Sequence, residues 1–266
     1  MSTQEDNVIS LIVTAKNRVG HFIQTFPSLI TQYGSEYDLV FSDFHSTDNF
    51  LETLKNEAEN RKEMFSPYLR QIRCIRLMKD MKFNPRKAKN LGVSGSDADV
   101  NILAFSDIDT FIGIDYLSYW SRRIEEGKSF FATRQQESRA ALPIRIKPEI
   151  NYGNVIVYKS DFLGINGWDE SVNHYGGDDD DFFHRLKLNE LREINPISHL
   201  DAKQYSILHG DELRTAFMEK VERVNKEEAF NQIYDNKEHD KAVCEYLSPH
   251  EPTIFHCIYE RETGSL

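Results

Sequence analysis

The sequence is short of cysteine, of long apolar runs and of net positive charge. Its three cysteines, Cys74, Cys244 and Cys257, are scattered and lack a CxxC spacing, which argues against a disulfide framework or a zinc site and favours a reducing compartment. The apolar run over residues 8–13 is far shorter than a signal-peptide core or a membrane span. We therefore predict a cytoplasmic protein without a transmembrane segment, for which peripheral attachment to a membrane or complex stays open.

The charge balance is acidic, with 43 aspartate and glutamate residues against 32 lysine and arginine residues and a formal net charge of −11. Such a chain is poorly suited to bind a nucleic-acid backbone through bulk electrostatics, so we predict no nucleic-acid partner. A phosphorylated ligand remains compatible, because a bound metal ion outweighs the global charge locally. The 266 residues, 39% of them hydrophobic, are enough for one large α/β domain with a substantial core.

Apolar runs alternate with amphipathic stretches through the first 110 residues. We predict strands at 7–14, 37–42, 71–77 and 100–105, and helices at 20–33, 48–64 and 85–96. This alternation predicts an α/β fold with a mainly parallel sheet and helices on both faces. We assign residues 1–210 to this domain. Residues 211–266 are predicted to be a C-terminal helical extension, because 212–235 has the pattern of a long charged helix.

Carboxylates follow two of the predicted strands. Asp43 comes after the second strand, and Asp107 and Asp109 come after the fourth. Ligands of parallel α/β sheets bind at the carboxyl ends of the strands, so these residues are expected along one rim. Two carboxylates one residue apart offer the hard oxygen ligands that Mg²⁺ or Mn²⁺ prefers. A solvated turn is the alternative explanation.

A glycine–acid cluster occupies residues 175–181 (YGGDDDD). Gly177 lets the backbone approach a ligand closely, and a positioned carboxylate such as Asp179 can act as a general base toward a hydroxyl. The alternative is a helix N-terminus, which favours one or two acids. Four adjacent carboxylates repel one another, so we expect compensation by a metal, a ligand hydroxyl or a raised pKa.

Two histidines and a basic segment complete the candidates. His199 and His209 follow the acidic cluster, and a neutral imidazole is a good metal ligand, although either residue alone is more simply a surface or core histidine. Residues 86–90 (RKAKN) could neutralise a diphosphate. For Lys87 and Lys89, a solvated helix face is the simpler interpretation.

Taken together, these motifs resemble inverting GT-A glycosyltransferases, which have a Rossmann-like fold. Residues 13–18 (VTAKNR) and 42–48 (SDFHSTD) are similar to the family's opening, in which the second strand typically ends as D-D-G-S-T-D. The resemblance implies that Asp43 contacts the uracil ring of UDP. It also implies that Thr14, Asn17 and Arg18 line the nucleotide site.

Residues 83–92 (FNPRKAKNLG) are similar to the F-N-R-A-x-x-x-N-x-G segment of the β-1,4-galactosyltransferase-like branch, which implies nucleotide contacts for Arg86 and Asn90. Residues 106–109 (SDID) look like the family's D-x-D metal motif. This implies that Asp107 lies at the nucleotide and that Asp109 ligates Mn²⁺ or Mg²⁺ directly.

The family often has a further metal ligand, a histidine some thirty residues after its catalytic base. Here the base falls on Asp179 and the histidine on His209, with His199 as the alternative. Residues 166–170 (NGWDE) and 175–181 resemble the N-G-[YF]-x-E and G-W-G-G-E-D-D-D pattern shared with chondroitin-polymerase-like enzymes. The resemblance implies that Asp179 is the catalytic base and that Asp178 holds the acceptor. The acceptor site would further contain Trp168, Tyr175 and Gly177.

The implied reaction is a metal-dependent transfer from a UDP-sugar to a glycan hydroxyl with inversion. The sequence does not distinguish among galactose, N-acetylgalactosamine and N-acetylglucosamine as the donor sugar. It requires Asp109 and Asp179 to face one cleft. Two other hypotheses are a nucleotidyltransferase, which the glycine-poor loop at 16–20 (KNRVG) disfavours, and a non-catalytic scaffold of the same fold. The oligomeric state stays open.

Overall fold

The computed structural model describes residues 7–133, 153–170, 178–196, 202–207 and 253–261. Eight strands form one sheet in the order β10-β3-β2-β1-β4-β7-β6-β8, and β5 pairs with β9 in a small second sheet. The strands are β1 Ile9–Ala15, β2 Tyr37–Asp43, β3 Leu69–Leu77, β4 Ile102–Asp107, β5 Thr110–Ile112, β6 Ser129–Ala132, β7 Val155–Tyr158, β8 Arg192–Ile194, β9 Gln204–Ser206 and β10 Thr253–Glu260.

The helices flank this sheet. They are α1 Val19–Ile30, α2 Phe50–Asn60, α3 Pro85–Ser94, α4 Tyr116–Ser121, α5 Lys159–Gly164 and α6 Asp178–Leu188, with a short 3₁₀ turn at Lys62–Met64. Within the described ranges, none of these helices has the length and apolarity to cross a membrane.

The predicted α/β architecture is confirmed, since β1 pairs in parallel with both β2 and β4, and β2 pairs in parallel with β3. The second half of the sheet is mixed, because β7 runs antiparallel to β4. One part of the expected helical extension is corrected. Residues 253–260 are a strand that pairs antiparallel with β3 at the sheet edge, which places them in the same domain as residues 7–133. The predicted helix over 212–235 lies outside the described residues.

Both faces of the parallel strands are covered, and this explains their unbroken apolar runs. In β1, Ile9, Leu11 and Val13 pack in the cluster that includes residues of α1 and α2. Ile12 points to the other face, into the cluster that includes residues of α3, α5 and α6. An alternating, half-polar strand would not be stable in this central position.

Close packing of α3 on the sheet depends on Gly92. A Cβ added there would lie 2.3 Å from Cγ2 of Ile12, a fully buried side chain of β1. Because Gly92 has no side chain, the backbone of α3 can lie close to β1. Gly92 therefore determines the distance between this helix and the sheet.

Gly92→Ala is expected to lower the free energy of unfolding by about 1–3 kcal/mol, because the new methyl group overpacks a filled core. The matched control is Gly20→Ala in α1, where an added Cβ meets nothing within 4 Å. This control should be neutral or stabilising by up to about 1 kcal/mol. Urea denaturation of both variants measures the difference. Equal stability of the two variants would contradict the close approach of α3.

Asp38 lies near the start of β2, and its side chain is fully buried. Nε of Arg70 is 3.1 Å from its Oδ1, and Arg70 also donates to exposed Asp99 at 2.7 Å. Burial raises the pKa of Asp38 to about 6, against the opposing effects of Gln71 and Arg70. The folded protein therefore holds a proton at pH values where the unfolded chain has lost it.

Asp38→Asn is expected to change the pH dependence of stability. Since the carboxyl pKa is raised from 3.8 to about 6, its contribution to stability is present at low pH and is lost as the pH rises through that interval. The variant should gain on the order of 2 kcal/mol relative to the native protein between pH 4 and pH 8. Denaturation at several pH values measures this gain.

Asp99→Asn is the control for that measurement. The hydrogen bond from Arg70 lowers the pKa of Asp99, so this substitution should lose stability at neutral pH and recover it in acid. If both variants changed with the same sign, the account of Asp38 would be wrong.

Candidate active site

Three candidate residues meet at the carboxyl ends of adjacent strands. β1 lies between β2 and β4, with Ala15 paired to Asp43 and Thr14 paired to Asp107. The predicted rim is therefore present. Thr14 stands between the two aspartates that the sequence assigned to the nucleotide site.

The loop after β1 is tied to the loop after β2. Asn17, at a φ of 52°, donates its backbone N–H to Oγ of Ser46 at 3.0 Å and accepts from the backbone N–H of Thr47 through Oδ1 at 2.6 Å. Asp48 accepts from the N–H of Val19 at 2.8 Å, at the start of α1. Asn17 thus positions the loop next to Asp43, a role that suits a nucleotide-binding edge.

Asp43 is fully buried, and Arg76 is its partner from β3. Oδ1 of Asp43 accepts from the N–H of Ser46 at 2.8 Å, and Nη1 of Arg76 is 3.4 Å from Oδ2. Arg76 also donates to the Ser46 carbonyl at 2.8 Å. A cavity of about 150 Å³ opens beside it, lined by Ser46, Thr47, Asn49, Leu51, Glu52 and Arg76. Sequence reasoning missed Arg76, whose only signal is its place near the end of a strand.

The D-x-D segment lies between β4 and β5, and its backbone is held on both sides. Oγ1 of Thr25 donates to the Ile108 carbonyl at 2.8 Å, and the N–H of Ile207 donates to the Asp109 carbonyl at 2.8 Å. Burial lowers the pKa of Arg18, while the negative charge of Asp109 opposes that shift. The charges of Arg18 and Asp109 therefore interact.

A buried polar network binds the backbone N–H of Asp107. The N–H of Asp107 donates to Oδ1 of Asn154 at 3.3 Å, and Nδ2 of Asn154 donates to Oε1 of Gln204 at 2.6 Å. The N–H of Asn154 also donates to Oγ1 of Thr133 at 3.1 Å. Thr133, Asn154 and Gln204 are all buried. They were not predicted, because their partners come from segments far apart in the sequence.

Asp179, in the first turn of α6, contacts the residue that precedes Asn154. A Cβ added to Gly153 would lie 2.4 Å from Oδ2 of Asp179, so the carboxylate packs directly against Gly153. The next residue, Asn154, binds the N–H of Asp107. The 153–154 segment therefore contacts both the backbone of Asp107 and the carboxylate of Asp179.

The acidic run at the start of α6 is compensated by cations. Nζ of Lys89 is 3.0 Å from Oδ1 of Asp179, and Arg185 donates to Oδ2 of Asp181 from Nε at 3.0 Å and from Nη2 at 2.8 Å. Arg185 also donates to the carbonyls of Ile165 and Gly167. For these two acids the compensation comes from basic side chains, a source that was not among those expected from the sequence. The helix begins at Asp178.

Two predicted ligand contacts are corrected. Trp168 is fully buried, with Nζ of Lys89 3.9 Å from its ring centroid and the ring of Phe182 stacked on it at 3.9 Å. Two groups this close to one ring must occupy opposite faces, so neither face is open to an acceptor sugar. Asn90 is also fully buried, and it binds both the N–H and the carbonyl of Trp168. Its amide holds this loop and is not directed at a nucleotide.

Arg86 and Lys89 are both buried, at 2% and 6% exposure, so the solvated face expected for Lys89 is also corrected. Arg86 lies in the first turn of α3, whose N-terminus is capped by Asn84. Tyr175, Gly177, His199 and His209 lie outside the described residues. Among the residues that are described, no three histidine, cysteine, aspartate or glutamate side chains form a metal-binding group.

Comparison with known protein families gives a match over part of the chain. Residues 140–234, about a third of the chain, match the family model described as the N-terminal domain of galactosyltransferase. The match includes the 153–154 segment and the whole of α6. No curated protein sequence matches the chain.

Solved structures share the fold at low sequence identity. The catalytic domain of Drosophila β1,4-galactosyltransferase 7, in complex with xylobiose, is 15% identical with a TM-score of 0.54, over 84% of this chain and 78% of that one. S. aureus TarS 1–349 with UDP-GlcNAc is 17% identical with a TM-score of 0.59, over 91% and 72%. The Pyrobaculum calidifontis mannosyltransferase PcManGT, with GDP-Man and Mn²⁺, is 14% identical with a TM-score of 0.55, over 71% and 54%.

The chain therefore has the fold of these glycosyltransferase structures, and its residues 140–234, which include α6, are similar to the N-terminal domain of galactosyltransferase.

Proposed function

We propose that this protein transfers a sugar from a UDP-sugar to a glycan hydroxyl, with a divalent metal ion and with inversion at the anomeric carbon. The observation that carries the proposal is the 153–154 segment. It contacts Asp179 through Gly153 and the D-x-D backbone through Asn154, so a donor at the rim and a base on α6 would face each other.

The nucleotide would lie along the ends of β1, β2 and β4. Asp43 would accept from the base, which requires the loop at Ser46 to move because the carboxylate is fully buried, and Thr14, Asn17 and Arg18 would lie beside it. The cation of Arg18, whose charge interacts with that of Asp109, would neutralise part of the diphosphate charge. The TarS structure contains UDP-GlcNAc, and a second Drosophila structure is a complex with manganese, UDP-Gal and xylobiose, which supports the choice of a UDP-sugar.

Asp109 would hold Mn²⁺ or Mg²⁺, with Asp107 at the nucleotide side of the same turn. Their carboxylates are the hard donors that these ions take, and the backbone bonds at Ile108 and Asp109 hold the turn in place. His209 is the proposed further ligand in preference to His199, because it follows two residues after Ile207, whose N–H is bonded to Asp109. The bound ion would stabilise negative charge on the leaving diphosphate.

Asp179 would take the proton of the acceptor hydroxyl as that oxygen attacks the anomeric carbon. Its side chain is only 13% exposed, and such partial burial keeps competing water away from a base. Asp178, Tyr175 and Gly177 remain proposed acceptor contacts. Trp168 is assigned instead to the support of the site, because both of its ring faces are covered. We further propose a cytoplasmic role in polysaccharide biosynthesis.

Asp109→Ala is expected to weaken Mn²⁺-dependent binding of UDP by more than about 10-fold, because the metal loses a direct carboxylate ligand. Calorimetric titration of UDP with and without Mn²⁺ measures the effect. Glu59→Ala, which removes an exposed carboxylate from α2, is the control and should bind as the native protein does. Undiminished binding by the Asp109 variant would contradict the metal assignment.

Asp179→Asn is expected to reduce the rate of UDP release from the preferred UDP-sugar by about 10²- to 10⁴-fold, because the general base is lost. UDP affinity should stay within twofold of native. Asp180→Asn removes the same charge from the neighbouring helix position and should retain most of the activity. If the Asp179 variant turned over as fast as the Asp180 variant, Asp179 would not be the base. If the native protein released no UDP from any of the three donors, the proposed function itself would fail.

A further inference from the structure

Lys89 is buried although it lies in a helix whose sequence suggests a solvated basic face. Its side chain is 7% exposed, and Nζ is 3.0 Å from Oδ1 of Asp179, which is itself 13% exposed. Breaking a buried ion pair by removing one partner is costly, because the other charge stays desolvated. The proximity of these two groups is therefore an energetic constraint on both α3 and α6.

Trp168 sets the distance between the two helices. Nζ of Lys89 stands over its ring at 3.9 Å, and Phe182, one turn after Asp179 in α6, stacks on the ring at 3.9 Å with an interplanar angle of 12°. Asn90, next to Lys89, fixes the Trp168 backbone through bonds of 2.8 and 2.9 Å. The lysine and the aspartate thus meet around one immobilised indole ring.

Gly153 closes the other side of the Asp179 carboxylate. Its φ is +98°, and an added Cβ would lie 2.4–2.7 Å from all three atoms of the carboxylate group. The carboxylate is therefore confined between the ammonium of Lys89 and a bare backbone. Other charges in this part of α6 are acidic: Asp178 and Asp180 flank Asp179, while Asp181 is paired with Arg185.

We propose that Lys89 is a positioning residue for Asp179: it holds Oδ1 in place and keeps the carboxylate ionised among neighbouring acids. This inference rests on the proposed function of Asp179 as the base. In the transfer step, the hydroxyl proton passes to the second carboxylate oxygen, and the acceptor oxygen bonds to the anomeric carbon. The bond from that carbon to the diphosphate breaks, and its electron pair leaves with UDP.

Lys89→Met keeps the length of the side chain and removes its charge. We expect kcat for UDP release from the preferred UDP-sugar with Mn²⁺ to fall by about 10- to 100-fold, with the affinity for UDP and Mn²⁺ within twofold of native, since the donor site lies at the other side of the cleft. Lys87→Met removes the same charge from the same helix and is the matched control, with an expected change below twofold. Equal kcat for the two variants would overturn the proposal.

A second measurement does not depend on turnover. The side-chain carboxyl pKa of Asp179 can be followed by ¹³C NMR of aspartate-labelled protein, with Asp179→Asn to assign the signal. Loss of a cation at 3.0 Å should raise this pKa by about one to three units in Lys89→Met and leave it unchanged in Lys87→Met. An unchanged value in Lys89→Met would overturn the role of Lys89 even if the protein proved to have no transferase activity. Lys89→Gln serves in the same way if the methionine variant does not fold.

Discussion

The candidate site depends on a short piece of backbone at residues 153–154. Gly153 has no side chain, so the carboxylate of Asp179 can pack directly on it. Asn154 carries the amide that accepts from Asp107 and donates to Gln204. Without this segment, the D-x-D residues at the end of β4 and the acidic helix α6 would have no common support. Its two neighbouring residues therefore connect the end of β4 to the first turn of α6.

An acidic chain that gathers carboxylates in one place must also limit their repulsion. In this protein, specific basic residues are paired with specific acids: Arg76 with Asp43, Lys89 with Asp179, and Arg185 with Asp181. Most of these partners lie on a different element from the acid, so the ion pairs also tie β3 to β2 and α3 to α6. Asp38, near the opposite end of β2, is different: its nearby cation does not offset burial. Burial raises the pKa of Asp38 to about 6 despite Arg70.

The aromatic residues of the site have a structural role. Trp168 separates Lys89 from Phe182 and is clamped by Asn90, and together these contacts determine where the first turn of α6 stands relative to α3. An exposed tryptophan could have stacked on a sugar, whereas a buried one transmits the position of one helix to another. If the proposed transfer takes place, contacts to the acceptor have to come from other residues.

The sequence by itself determined the order of strands and helices in the first half of the chain. Unbroken apolar runs such as β1 indicate parallel strands with both faces covered, and acids after those runs indicate a ligand at the rim. Local pattern and sequence spacing carry that information, so Asp43, Asp107 and Asp109 could be placed on one edge. The resemblance of short motifs then drew attention to Asp179.

Only the tertiary structure decided which side chains those residues meet. The sequence predicted Lys89 on a solvated helix face and Trp168 in contact with an acceptor sugar. Both side chains are buried, because α3 and α6 pack around them. Arg76, Gly153, Asn154 and Gln204 have no local signature, since each acts through a partner at least 26 residues away in the chain. The strand at residues 253–260 was missed for the same reason: its partners in β3 are at least 176 residues away, so the pairing is a long-range interaction that no sequence window contains.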